Sequence, residues 1–497
     1  MKISGKNIGL FTGMLLFFVL FFLPAPEGMN VAAKNTAAIV LLMSVWWISG
    51  AIPIYATALL PIALFPLLKI LPASTTVANY GHNYVLMFLA GFIIAKVIEI
   101  QKLHKRIALV IINAIGGNQK KIILSLMLAT AFISMWISNV TTVLLMLPIA
   151  LSIIMKEEEE QKGKNNFPVA LMLSVAYGAT VGGVGTLIGS PTNLIFVGVL
   201  EKLFPKAPSV TFFNWLKIGL PVMIIFLPVV WFYLIKYFRI SGDISNDLSV
   251  ISEELKVLGN MSPGEKRVMY VFLLAVFGWV FREDFIFGNT VIPGWASLLG
   301  LTGYAHDSTV AMFCAVLMFM IPADRNRRLI TWKEASQIPW GVVMIVGGGY
   351  AVADGFSNSG LAEWLGNQLI FINSLSSFFV LIIILAFILF FTEVNSNTAT
   401  INIFLPVLAS LAVVSGTNPL LLMIPATIAA SFSFMMPAGT GPNTVIFASE
   451  RITISDMAKC GLWLKFISLV LLTLILYFIV MPWLNLNPSL PHWASSY

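Results

Sequence analysis

Apolar residues run continuously, not alternately, along this 497-residue chain. The runs lie near 8–23, 36–71, 83–100, 107–116, 122–155, 168–200, 216–238, 268–281, 291–322, 338–353, 374–415, 420–448 and 461–483. Runs of this length are helices that cross hydrocarbon, because only helices or closed barrels satisfy their backbone there and barrel strands would alternate. Several runs are too long for one helix and others too short, so they predict about eleven full spans plus half-length pieces. The expected fold class is an all-α polytopic membrane protein, multi-pass in the cell membrane. The run 8–23 follows a start with Lys2 and Lys6 and ends at Pro24-Ala25-Pro26-Glu27. It is long for a signal peptide and has a poor cleavage site, so it reads as the first span with its Lys end in the cytoplasm. Polar breaks are few. Lys156 to Asn166 is a charged loop, and Ile240 to Arg267 falls at mid-chain and reads as a linker between two halves.

Composition agrees with that pattern and removes other classes. Only 10% of the residues are charged, against about 25% in soluble proteins. The net charge of +7 is no nucleic-acid signal. The cations sit in short inter-span segments such as Lys102 to Arg106, Lys120-Lys121 and Arg325 to Arg328, the bias of cytoplasmic loops. Cys314 and Cys460 offer no disulfide framework, and the four histidines have no metal-ligand spacing. Gly183-x-Gly185-x-x-x-Gly189 imitates a dinucleotide fingerprint, but no soluble strand–turn–helix unit surrounds it. No catalytic set is present, so an enzyme is not expected.

The two halves repeat. Ser138-Asn139-Val140-Thr141-Thr142 followed by Leu147-Pro148 matches Ser396-Asn397-Thr398-Ala399-Thr400 followed by Leu405-Pro406. Gly189-Ser190-Pro191-Thr192-Asn193 matches Thr440-Gly441-Pro442-Asn443-Thr444, and Met87 to Gly91 matches Met344 to Gly348. The offsets are 258, 251 and 257 residues, and the discrepancy falls across the segment with the Glu-rich loop. Three matches in one order indicate an internal duplication. An odd number of spans between equivalent points would turn the second copy over, as in the inverted repeats of secondary transporters.

The repeated motifs carry the chemistry. Ser-Asn inside an uncharged apolar run is a helix cap and marks a broken helix. The new helix start offers free N–H donors and partial positive charge, a place for a carboxylate. Carbonyls freed by the preceding piece could bind a cation. Two copies facing each other match a substrate with two carboxylates. Pro191-Thr192-Asn193 and Pro442-Asn443-Thr444 repeat the logic, since proline frees a carbonyl while Thr and Asn add neutral polar groups. Such small and hydroxylated residues also serve helix packing; duplication of all four motifs in order favours binding. Glu393, just before the second Ser-Asn, either accepts from backbone groups of the break or binds a cation. Lys96 either pairs with Glu99 at i+3 while snorkelling, or is a fixed cation near the site.

These residues resemble the divalent anion–sodium symporter family, which includes di- and tricarboxylate carriers. The resemblance rests on the two Ser-Asn motifs, the two Pro/Asn/Thr motifs, Gly91-Phe92 with Leu103-His104-Lys105-Arg106-Ile107-Ala108-Leu109, and the Thr-Glu-x-x-Ser-Asn-Thr-like run through Glu393 to Thr398. It covers about Gly81 to Arg451. It implies a homodimer in lipid, with a scaffold domain and an elevator-like transport domain carrying two re-entrant hairpins in an inverted internal repeat. The implied division is N-terminal scaffold helices 1–80, first repeat core 81–238, cytoplasmic linker 239–267, second-half scaffold helices 268–337, second repeat core 338–460 and a C-terminal span and tail 461–497. Substrate contacts are expected from Ser138, Asn139, Thr141, Ser190, Pro191, Thr192, Asn193, Ser396, Asn397, Thr398, Pro442, Asn443 and Thr444. The resemblance places a first sodium region at Ser134, Ser138, Asn139 and Gly189, and part of a second at Thr392 and Asn397. Departures are Val140 for the usual Thr, Pro-Thr-Asn and Pro-Asn-Thr for Pro-Pro-Asn, and Lys96 for an apolar residue. The expected cargo is succinate, malate, fumarate, 2-oxoglutarate or citrate, with no cofactor beyond sodium and no nucleic-acid partner. Lys96, as a fixed charge on the moving domain that discourages the empty carrier from crossing, tilts the expectation to carboxylate exchange. Sodium-coupled symport is the alternative, and a cation/proton antiporter the remoter one.

Overall fold

The computed structural model describes residues 5–160, 166–240, 249–287, 290–368 and 376–494. Among them the fold is helical apart from one two-stranded hairpin, Phe285–Phe287 with Thr290–Ile292, which the sequence pattern did not announce. Among the described residues seven helices are long and apolar enough to cross a membrane: Gly5–Phe22, Val31–Ser49, Ala73–Ile100, Asn139–Glu159, Phe212–Tyr237, Asn397–Val414 and Ile454–Trp483. Five shorter apolar helices accompany them. The number of full-length spans is therefore below the eleven expected. The physical reason is that the longest apolar runs are each cut in two.

Four of these cuts matter. The run 122–155 divides into Gln119–Ser134 and Asn139–Glu160. The run 374–415 divides into Ser377–Phe391 and Asn397–Val414. The run 168–200 gives Phe167–Gly182 and Pro191–Leu203, and 420–448 gives Leu420–Ser431 and Gly441–Phe447. Each second piece begins at a residue type that caps a helix or cannot continue one: Ser138-Asn139, Ser396, Ser190-Pro191 and Thr440. Ser396 is a complete cap, its Oγ accepting from the Ala399 N–H at 3.2 Å.

Close packing holds the pieces together. Gly178 and Gly182 lie against the backbone of Met127 and Ala131, so a Cβ at either would collide with a carbonyl. This contact joins the Phe167–Gly182 helix to Gln119–Ser134 by backbone approach, a device of membrane helices. A second, smaller core of Ile39, Met43, Phe65, Val352 and Phe356 fastens the Val31–Ser49 helix to the Trp340–Ser359 helix. One of the buried ion pairs braces the larger core: Asp307 is fully buried, meets Arg282 Nε at 2.6 Å, and accepts from the Phe212 N–H at 2.7 Å. It ties the starts of the Asp307–Met320 and Phe212–Tyr237 helices to the segment after Pro263–Val280.

Three sequence boundaries shift. The charged stretch expected as a loop from Lys156 is still helical to Glu160; 161–165 lie outside the described residues. In the mid-chain linker, 241–248 also lie outside them, but Ser249–Leu258 is a helix. It is pinned to the Leu103–Ile115 helix by Lys105–Glu254 at 2.7 Å, and Arg106 meets Glu265 at 2.8 Å and the Gly259 carbonyl at 2.9 Å. The proposed cut at 460/461 falls inside the uninterrupted Ile454–Ile475 helix.

Gly182→Val tests the helix contact. The added side chain must push the Ala131 backbone away, an overpacking cost of about 1–3 kcal/mol. The expected outcome is a lower midpoint when detergent-solubilised protein is heated and assayed by size exclusion. An unchanged midpoint would mean that the two helices do not meet there.

Candidate functional site

The four breaks converge. The helices Asn139–Glu160, Pro191–Leu203, Asn397–Val414 and Gly441–Phe447 all begin at one cavity of about 420 Å³. Its polar lining comes from Ser138, Asn139, Thr141, Ser190, Ser396, Asn397, Thr398 and Thr440, with Pro191, Gly439, Gly441 and Pro442 beside them. Val140, Ile54, Tyr55, Phe92, Pro339, Val342 and Ile345 complete it. Among the described residues no Asp, Glu, Lys, Arg or His lines this cavity. The volume falls within the roughly 300–1,000 Å³ of small-molecule sites. A larger cavity of about 720 Å³ at Phe213, Lys217, Glu283 and Trp483 meets none of the four breaks.

The helix starts are unequally closed. Ser396 caps its own helix, and Ser138 Oγ lies 2.8 Å from Thr141 Oγ1 and 3.4 Å from the Thr141 N–H. Ser190 and Thr440 have extended cap geometry but make no side-chain cap bond. Neither capping side chain closes an N–H group, and Pro191 and Pro442 carry none, so each start offers an anion the first-turn donors that remain.

The two halves repeat their hydrogen bonds as well as their residues. Ser134 Oγ donates to the Ala179 carbonyl at 2.8 Å, and Thr392 Oγ1 to the Ala430 carbonyl at 2.7 Å. The same hydroxyls meet Asn139 Oδ1 at 2.7 Å and Asn397 Oδ1 at 2.8 Å. Asn139 Oδ1 faces only oxygens: Ser134 Oγ at 2.7 Å, Gly189 O at 3.2 Å and Ala179 O at 3.3 Å. With its amide turned over, the nitrogen would donate to all three. This crowd of neutral oxygens is also the donor set of a hard monovalent cation. Among the described residues no cluster of His, Cys, Asp and Glu could hold another metal.

Not every expected residue reaches the cavity. Ser138, Asn139, Thr141, Ser190, Pro191, Ser396, Asn397, Thr398 and Pro442 line it; Thr192, Asn193, Asn443 and Thr444 do not. Asn193 Nδ2 instead donates to Gly183 O at 3.0 Å and Thr186 O at 2.7 Å. Asn443 Nδ2 does the same for Ser433 O at 3.4 Å and Met436 O at 3.1 Å. Thr192 Oγ1 bridges Ser190 Oγ and Ser431 Oγ, each at 2.8 Å, and so stitches the two halves together. Thr444 Oγ1 donates to Pro437 O at 2.6 Å. These bonds show that the repeat is one residue out of the register read from the prolines. Ser190 and Thr440 are equivalent caps, and Asn193 and Asn443 are equivalent struts, so Gly189 answers Gly439 and Pro191 answers Gly441.

Lys96 Nζ sits 2.8 Å from Glu99 Oε1, and neither residue lines the cavity. The expectation of an unpaired charge at this position loses its basis. Glu393 accepts from the N–H groups of Phe434, Met435 and Met436 at 2.7, 3.1 and 3.0 Å, so the backbone role is the one seen. Sequence reasoning missed Gly439, Thr440 and Gly441, which the cap logic applied to Gly439-Thr440-Gly441 could have found. It also missed the wall of Ile54, Tyr55, Phe92, Val342 and Ile345, for which no local signal exists.

A helical membrane fold whose broken helices meet at one neutral cavity has the form of a multi-pass membrane transporter. The chain belongs to the family described as sodium:sulfate symporter transmembrane region, whose profile matches residues 4–486. It is 40% identical over 499 residues to the sodium-dependent dicarboxylate transporter SdcS of Staphylococcus saprophyticus, covering 98% of this chain and 94% of that protein. The SdcS of Staphylococcus aureus strain MRSA252 is also 40% identical, over 502 residues, with the same coverage. Among solved structures the fold is similar to MtrF of Neisseria gonorrhoeae, described as illuminating a class of antimetabolite efflux pumps. The TM-score is 0.58 at 13% identity, over 97% of this chain and 100% of that one. The YdaH transporter of Alcanivorax borkumensis gives 0.54 at 14%, over 82% and 88%.

Asn193→Ala tests the strut role. It leaves the buried carbonyls of Gly183 and Thr186 without this donor, a loss of about 1–3 kcal/mol. The thermal midpoint of the purified protein should fall even without substrate. An unchanged midpoint with lost substrate binding would return Asn193 to the cavity.

Proposed function

We propose that this chain carries small dicarboxylates across the membrane together with sodium. The observation that carries the reading is the convergence of four helix N-termini on a cavity with no charged side chain. Each terminus contributes at most about 2 kcal/mol toward an anion. Removing a carboxylate from water costs several kcal/mol. Four termini therefore roughly break even with a dianion and leave little surplus for binding. A cation beside each Ser-Asn tip supplies the remainder. The oxygens of Ser134, Asn139, Ala179 and Gly189 suit one, and those of Thr392, Asn397 and Ala430 suit its counterpart.

This reading favours symport over the exchange that Lys96 suggested. Lys96 has a local partner, and the relatives are named sodium-dependent. We place Ser138, Asn139 and Thr141 at one carboxylate of the substrate, and Ser396, Asn397 and Thr398 at the other. Thr141 offers in the first half the hydroxyl that Thr398 offers in the second, which answers the loss at Val140. The two Ser-Asn breaks serve as tips of re-entrant hairpins in an inverted repeat. They travel with the Phe167–Leu203 and Leu420–Phe447 segments, and with the helix from Ile454, as an elevator against the remaining scaffold of a homodimer.

Proteoliposomes test this. Labelled succinate should accumulate in empty vesicles when sodium is high outside, and Asn139→Ala or Asn397→Ala should reduce uptake to background while the protein still elutes as a folded species. Uptake that ignores sodium and requires internal succinate would restore exchange; no uptake under either regime would remove dicarboxylates as the cargo.

A further inference from the structure

The two halves differ at one buried point that the transport reading does not use. Lys465, on the Ile454–Ile475 helix, is fully buried. Its ammonium meets Glu393 Oε1 at 2.6 Å and the Phe432 carbonyl at 2.5 Å, and also donates to the Leu389 carbonyl. Glu393 in turn accepts from Ser433 Oγ at 2.9 Å and from the three N–H groups of residues 434–436. This one ion pair thus grips the end of the helix before the second tip and the first half of the 432–440 break, residues 432–436.

The first half shows what stands there otherwise. Gly219 and Gly461 are equivalent, since a Cβ on either would strike the equivalent carbonyls of Val184 and Phe434. Counting four residues onward makes Met223 the counterpart of Lys465. Met135 follows Ser134 as Glu393 follows Thr392. Met135 and Met223 do lie together, each 3.1 Å from a Cβ placed on Gly185. Among the described residues no charged side chain holds the first break. Neutral groups close it, with Gly185 N–H on Gly182 O at 2.9 Å and Gly189 N–H on the Thr186 side-chain Oγ1 at 3.2 Å. The amides of 434–436 rely on Glu393 instead.

We infer that Glu393 and Lys465 are positioning residues for the second cation cradle, giving two cradles of unequal character. The cradle atoms lie between the gripped points. Thr392 adjoins Glu393, and its hydroxyl bonds Ala430 O and Asn397 Oδ1; Asn397 Nδ2 reaches Ser431 O at 3.4 Å, next to Phe432. Moving either end of the clamp moves those oxygens. The first cradle, held by Met135, Met223 and neutral hydrogen bonds, is left alone. The buried pair carries no net charge, so only its dipole field reaches the substrate cavity and its main action is through geometry.

The inference rests on the sodium-coupled reading, and the experiment separates the two. Succinate uptake is measured against external sodium for the unaltered protein, the double variant Glu393→Gln with Lys465→Met, and Glu393→Asp. The double variant removes both charges but keeps an acceptor for the 434–436 amides. Glu393→Asp keeps the pair's charges and shortens its reach. In folded variants the half-saturating sodium concentration should rise at least five-fold, while the succinate KM at saturating sodium stays within two-fold. A merely structural pair would lower the amount of active carrier without moving the sodium dependence. Unchanged sodium dependence in any folded variant, or loss of folded protein in both, would overturn the assignment. Unaltered protein whose uptake ignores sodium would sink the transport reading before any variant is compared, and this inference with it.

Discussion

A helix that stops inside hydrocarbon exposes backbone groups that must find partners, and this requirement governs the whole molecule. The chain breaks helices at four places and brings all four new starts to one cavity. The donors gathered there have no charged side chain opposite them. A neutral chamber edged by N–H groups and small hydroxyls suits an anion that arrives with its own counter-cation. It suits a bare cation poorly.

The acceptor side of the same breaks explains residues that never touch the cavity. Asn193 and Asn443 tie the carbonyls of their own breaks. Trp215 Nε1 donates to Val184 O at 2.9 Å, and Tyr177 OH to the equivalent Phe434 O at 3.0 Å. Thr192 joins the halves through Ser431. Each bond removes a polar group that would otherwise be costly away from water. Together they give each break a defined, hydrogen-bonded shape. The Glu393–Lys465 pair belongs to this supporting layer.

Much of this was legible in the sequence because hydrocarbon leaves few options. Uninterrupted apolar runs read as helices, and Ser-Asn within them, twice in the same order, reads as a break more readily than as packing. The duplication then named both tips and nine of the lining residues. Three things were not legible. The count of full spans failed because an apolar run of 34 residues, 122–155, looks like surplus span length until the break is located. The register of the Pro/Asn segments slipped by one because proline is a conspicuous marker, whereas the structural equivalence lies in the caps Ser190 and Thr440. The apolar wall around Tyr55 and Val342 comes from segments far from either motif, and nothing local marks it. Lys465 was hidden for the same reason: its partner Glu393 is 72 residues away.

The central claim is that a dicarboxylate is held by helix N-termini at the two Ser-Asn tips, with sodium beside it and no basic side chain. A cryo-electron microscopy map of the protein with succinate in sodium tests it most directly. The account predicts one carboxylate at Ser138-Asn139, the other at Ser396-Asn397, and density for a cation within reach of Ser134 Oγ and Thr392 Oγ1. Succinate bound against a lysine or arginine, or lodged in the Lys217 cavity with the tips empty, would contradict it.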